Sequence, residues 1–197
     1  MKTNRFSGVV AVLLVLLAGC AGLHADELPT VETPKRVDLS SGDSRSMNYT
    51  PWYIHTFSIS GPNGTRIGGG GGNMWPMEED GYPGHSGGQC CTRYPREWQP
   101  DLRLTVRWKV DKKMDGKTPG YWYKADNVQI PQYDGSRSGG VWAIFLPGDR
   151  VKLMVADGNA NGHNSVMVRP TDDDPYVIKG ELDDEWNRLY RYRGSKK

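Results

Sequence analysis

The chain has 197 residues, the size of one domain, with 25 Lys and Arg against 23 Asp and Glu. So even a balance excludes the dense basic surface that nucleic-acid binding needs. The four histidines, His24, His55, His85 and His163, include no pair spaced to aim both rings at one atom.

Residues 1–19 read as a targeting segment. Lys2 and Arg5 form a basic start, and residues 9–17 are apolar but too short for a spanning helix. Leu17-Ala18-Gly19-Cys20 resembles a bacterial lipobox. The resemblance implies removal of residues 1–19 and a diacylglyceryl group, with palmitate, on Cys20, which anchors the protein to a membrane. Ala21, where inner-membrane lipoproteins carry Asp, implies the outer membrane, with the domain facing the periplasm. Without Lys2 and Arg5, the only charges before Cys20, basic and acidic residues are equal in number. Residues 20–47 are polar, rich in Pro, Ser and Asp, and read as the lipidated cysteine with a flexible tether. A single β-rich domain is expected over residues 48–197.

Within the domain, Tyr53, His55, Phe57 and Ile59 alternate and predict one face of a strand. Residues 60–64 form a turn cluster. Residues 68–72 are five consecutive glycines, which hold no backbone conformation by themselves, and loop character is expected to about Trp98. Residues 102–110 alternate without a fault: Leu102, Leu104, Val106, Trp108 and Val110 against Arg103, Thr105, Arg107 and Lys109. That pattern predicts a strand with one buried face and one basic, solvated face. Residues 121–130 predict another strand, ended by Pro131. The apolar run 141–146, the Pro147-Gly148-Asp149 turn and the alternation of Val151, Leu153 and Val155 predict a β-hairpin. Leu182, Trp186, Leu189 and Tyr190 recur at helical spacing over residues 181–192. The fold expected is mainly β, an antiparallel β-sandwich or curled sheet with a short C-terminal α-helix.

Few motifs offer chemistry. Gly84-His85-Ser86-Gly87-Gly88 matches a nucleophile elbow, but the strand before and helix after that the strained turn requires are missing, so no catalytic residue is assigned. Asp157-Gly158-Asn159-Ala160-Asn161-Gly162 matches the first half of a calcium loop, yet Val168 stands where a bidentate Glu closes the shell. Cys90 and Cys91 admit three readings: burial as small apolar side chains, a vicinal disulfide, or zinc with His85 and His163. No metal or cofactor is assigned. His55, on an apolar strand face, reads as a core histidine. All tryptophans but Trp186 lie between residues 52 and 142. Trp108 and Trp142 sit on core patterns, whereas Trp75, Trp98 and Trp122, with Tyr82 and His85, are the candidate partner-binding residues.

Several features follow one another along the chain: Tyr53-Ile54-His55-Thr56-Phe57-Ser58-Ile59, the glycine run, Gly87-Gly88-Gln89-Cys90-Cys91, Pro95, Trp98 and Pro100. Leu104-Thr105-Val106-Arg107-Trp108, Ile130-Pro131-Gln132-Tyr133 and Val141-Trp142-Ala143-Ile144-Phe145 complete the series. With these, residues 48–156 resemble a family of Gram-negative lipoproteins that share a domain of unknown function. Its members lie beside type VI secretion lipase effectors and are taken to be periplasmic immunity proteins. The resemblance implies a non-enzymatic inhibitor that binds a cognate effector, a phospholipase in particular, and supplies no catalytic residues. The alternative is a structural or assembly lipoprotein of the envelope that binds another envelope component.

Overall fold

The structure, a computed structural model, describes residues 37–192. The expected signal segment, Cys20 and the part of the expected tether up to residue 36 lie outside the described residues. Ten strands are present: β1 (Leu39–Asn48), β2 (Tyr53–Ser60), β3 (Gly68–Met74), β4 (Gly84–Pro95), β5 (Leu104–Asp111), β6 (Tyr121–Val128), β7 (Val141–Leu146), β8 (Arg150–Val155), β9 (Ile178–Lys179) and β10 (Glu181–Leu182). Among the described residues one α-helix, α1 (Asp184–Tyr190), follows. The strands form a single sheet in the order β10-β6-β5-β2-β3-β4-β1-β7-β8-β9. Among the described residues only the β1–β7 pair is parallel.

The sheet curls until its edges nearly meet, so the mainly β, curled-sheet expectation holds and the sandwich does not apply. β9 and β10 occupy opposite edges, yet Gly180 alone separates them in the chain. The chain therefore crosses the seam in one residue. A Cβ at Gly180 would overlap the Trp108 indole, with Cζ2 at 2.9 Å, so only glycine fits. Closure also disposes of the exposed edges that an open sheet would present.

The buried half of the β5 alternation is realised, with Leu104, Val106, Trp108 and Val110 in the core, but the basic face is not fully solvated: Arg107 and Lys109 are part-buried, Arg107 against Asp183. The core residues of β5 meet Ile54, Phe57 and Ile59 of β2 and Val151, Leu153 and Val155 of β8 in the sheet's interior. The 141–146 and 150–155 hairpin forms as expected, with Leu146 opposite Arg150. Its uninterrupted apolar run has a simple cause: both faces are covered. Ile144, Leu146 and Met154 pack outward against Val166 and Val177 of the following segment. Under that segment Lys152 pairs with Asp174 at 2.7 Å, both side chains nearly sealed from water. Burial would raise the Asp174 carboxyl, but Lys152, the Tyr176 amide and His163 outweigh it and hold it low.

Three expectations need correction. First, residues 39–47 are not tether but most of β1, which lies between β4 and β7. β1 has no apolar period because its buried face is Ser44, Ser46 and Asn48. Each is hydrogen-bonded: Ser44 Oγ donates to the Gly70 carbonyl, Ser46 Oγ meets Ser86 Oγ at 2.6 Å, and Asn48 uses both ends of its amide.

Second, residues 68–74 and 84–95 are strands, not loop. A Cβ on Gly70 would overlap the Phe57 carbonyl, and one on Gly71 would sit 2.6 Å from the Phe57 ring. The glycines let β3 approach β2 closely, and cross-strand partners supply the order that glycine lacks.

Third, His55 does not share a face with Phe57. The β2–β5 register shifts between Ile54 and Thr56, and His55 is the extra residue of that bulge. Ile54 turns inward with Phe57 and Ile59, while His55 leaves the core half-buried. The helix is also shorter than residues 181–192: Glu181 and Leu182 form β10, and Asp183 caps α1 by accepting from the Trp186 amide.

Gly180→Ala is expected to lower unfolding stability by about 1–3 kcal/mol through overpacking against Trp108, read as a reduced urea midpoint.

Candidate functional site

Two adjoining surfaces carry the exposed or unpaired chemistry. The first is built on the connection between β3 and β4. Asn48 Nδ2 donates to the carbonyls of Trp52 (2.7 Å) and Trp75 (2.8 Å), and its oxygen accepts from the Thr50 amide and hydroxyl. The Met77 amide donates to the Thr50 carbonyl and the Glu78 amide to that of Tyr82. Gly84 then passes so close to the Trp75 carbonyl that a Cβ would overlap it. The backbone is thus held while two rings stay outside: Trp75 is 67% exposed and Tyr82 59%. The Trp75 ring lies 5.2 Å from Tyr53, and Tyr53 lies 4.7 Å from His55. Tyr82 packs on His85 at 5.2 Å. The β3–β4 connection thus carries two ring groups, Trp75 with Tyr53 and His55, and Tyr82 with His85, which together make up its aromatic face.

Trp98 and Trp122 do not belong to it. Trp98 is half-buried, with Nε1 donating to the Ile130 carbonyl. Trp122 is buried at 8% exposure under α1. Its polar sequence neighbours suggested exposure, but the helix that covers it comes from residues more than sixty positions later.

The second surface is the cleft beneath α1. Thr56 pairs with Lys109, and Lys109 with Trp122, so the three form a row across β2, β5 and β6. α1 roofs this row. The Asn187 side-chain amide bonds both the Trp122 N–H (2.8 Å) and its carbonyl (2.9 Å), as a neighbouring strand would. Asp183 meets Arg107 at 2.8 Å. Trp186 stands edge-on to Trp122 at 4.7 Å, and Tyr190 packs on Trp186. Leu182 and Leu189, the rest of the expected apolar stripe, remain exposed. The result is a cleft of about 440 Å³ lined by His55, Thr56, Lys109, Trp122, Trp186 and Tyr190. Burial, then the nearby Lys109 charge, push the His55 imidazole below its ordinary value, against a smaller pull from Asp111. Burial, then Arg191, lower the Lys109 ammonium in the same way.

The other sequence candidates lie elsewhere. Cys90 and Cys91 are bonded to each other across a cis peptide bond, in a bulged part of β4. Both are exposed, which corrects the reading of two buried thiols. Among the described residues, no cluster of His, Cys, Asp or Glu gathers His85 and His163 about them. Ser86 lies within β4, on no turn, and bonds Ser46. In the 157–162 loop, Asp157 accepts from the Asn159 and Asp134 amides, so both its oxygens fasten backbone.

A small curled-sheet domain with an aromatic face defines a class of fold rather than an activity. The chain belongs to the family described as a protein of unknown function (DUF3304), whose model matches residues 47–153, more than half of it. No curated protein and no solved structure matches it. The match contains the whole aromatic face and the floor of the cleft. Trp186 and Tyr190, the roof, lie beyond it.

Because the folded pKa of His55 is depressed, the unfolded chain binds the proton more readily. Stability is expected to fall as pH drops through the unfolded value of 6.5, levelling off below the folded pKa. His55→Gln removes that component. The check is the difference between wild-type and variant urea midpoints at pH 8 and pH 5, which should shrink on acidification.

Proposed function

We propose that this protein is a lipid-anchored, periplasm-facing immunity protein. It neutralises a cognate type VI secretion effector, a phospholipase in particular, by docking through the face of Tyr53, Trp75, Tyr82 and His85. The observation that carries the reading is Trp75 and Tyr82 held outward on a loop whose backbone is fixed by the buried Asn48 amide. Large rings that stay exposed on a rigid support lose little entropy on binding, which is how interface anchors work. The lipobox and the resemblance to lipoproteins beside lipase effectors support the location and the partner. Among the described residues no helix is long and apolar enough to cross a membrane.

Co-expression with the effector encoded beside it is expected to protect cells. Trp75→Ala and Tyr82→Ala are each expected to weaken effector binding by about 10–30-fold without changing Tm, measured by calorimetry and thermal melts. Failure of the wild-type chain to protect would sink the reading. Envelope damage on deletion without any effector would favour the assembly role instead. Cys20→Ser is expected to abolish radiolabelled palmitate incorporation and release the protein from membrane fractions.

A further inference from the structure

We infer that the cleft under α1 is a binding site for a small aromatic carboxylate. This site adjoins the docking face at His55 but needs neither Trp75 nor Tyr82.

Among the described residues the cleft's cation has no counter-ion. Lys109 Nζ donates to the main-chain carbonyl of Arg191 at 3.1 Å. An ammonium carries three donors, so two remain for a ligand. Its cationic neighbour on the same strand, Arg107, is neutralised by Asp183 at 2.8 Å. Lys109 makes no such ion pair among the described residues. Asp111 acts on it only at longer range, and Arg191 opposes it with like charge. A half-buried charge next to a second cation is costly unless an anion joins it. A single ammonium suits a carboxylate better than a phosphate dianion, which demands more donors.

The walls select the rest of the ligand. Trp122, Trp186 and Tyr190 present ring surface, and rings already meet edge to face at 4.7 Å between the two indoles. A planar ligand adds one more ring to that arrangement. The volume of about 440 Å³ falls within the usual range for small-ligand pockets, roughly 300–1,000 Å³, and admits one or two rings.

The test titrates phenylacetate into the full chain, followed by tryptophan fluorescence, since Trp122 and Trp186 form the wall, and by calorimetry. The expected result is saturable binding, with phenylacetamide and acetate each weaker by at least about tenfold. Lys109→Met should weaken phenylacetate by a similar factor, while Trp75→Ala leaves it unchanged. Equal binding of phenylacetate and phenylacetamide, undiminished binding by Lys109→Met, or no saturation with phenylacetate would each overturn the assignment. If Lys109→Met does not fold, the comparison of charged and neutral ligands on the wild-type chain still decides.

Discussion

The closure of the sheet over Trp108 is the constraint on which the other features depend. Trp108 projects from β5 into the interior, where its ring meets Tyr123 of β6 and Phe145 of β7. Gly180 lies directly over it, between the strands that end the two edges. Because the chain crosses the seam there, it emerges on the outer side of β6 and enters α1 within three residues. The helix has no freedom to dock elsewhere: Asp183 is caught by Arg107, and Asn187 completes the ladder of β6. The cleft under α1 is a consequence of how the sheet is shut.

On the far side of the sheet the same curvature is secured by polar groups. β1 sits in the middle of the sheet with Ser44, Ser46 and Asn48 buried, where an apolar strand would be usual. Small hydroxyls there can bond the carbonyls of a glycine strand that has no side chains of its own. A buried amide with every group satisfied tolerates one geometry and penalises the others, because a displaced partner leaves an unpaired polar atom. Asn48 is the clearest case. Its four bonds join the end of β1, the turn into β2 and the backbone of Trp75, and so hold the aromatic face in place.

The molecule treats its charges unequally. Lys152 and Asp174 face each other under the segment after β8, and Arg107 faces Asp183. Lys109 faces rings, a main-chain carbonyl and another cation. The cleft is also divided along the chain. Its floor lies within the span that defines the family, and its roof is supplied by residues beyond that span. A shared scaffold can in this way take a roof particular to one member.

Much of the frame was legible in the residues. The period-two pattern of residues 102–110 and the apolar run, turn and alternation of residues 141–155 determine strands, because burial on one face or on both leaves a mark on every residue. The acidic start and aromatic spacing of the last segment determine a helix, although only Trp186 and Tyr190 of its stripe find a surface. Tertiary structure alone decided the rest. Five glycines become a strand because neighbours order them, and a polar segment becomes a central strand because its partners are backbone groups rather than apolar side chains. One extra residue at His55 brings Ile54 to the core side in place of Tyr53 and His55, while Phe57 and Ile59 stay there, a change that no alternation pattern records. Trp122 is buried by a helix that arrives from the far end of the chain. Local patterns report the environment a residue prefers, whereas bulges, close backbone approaches and distant covers depend on which elements meet, and those meetings place the aromatic face and the cleft.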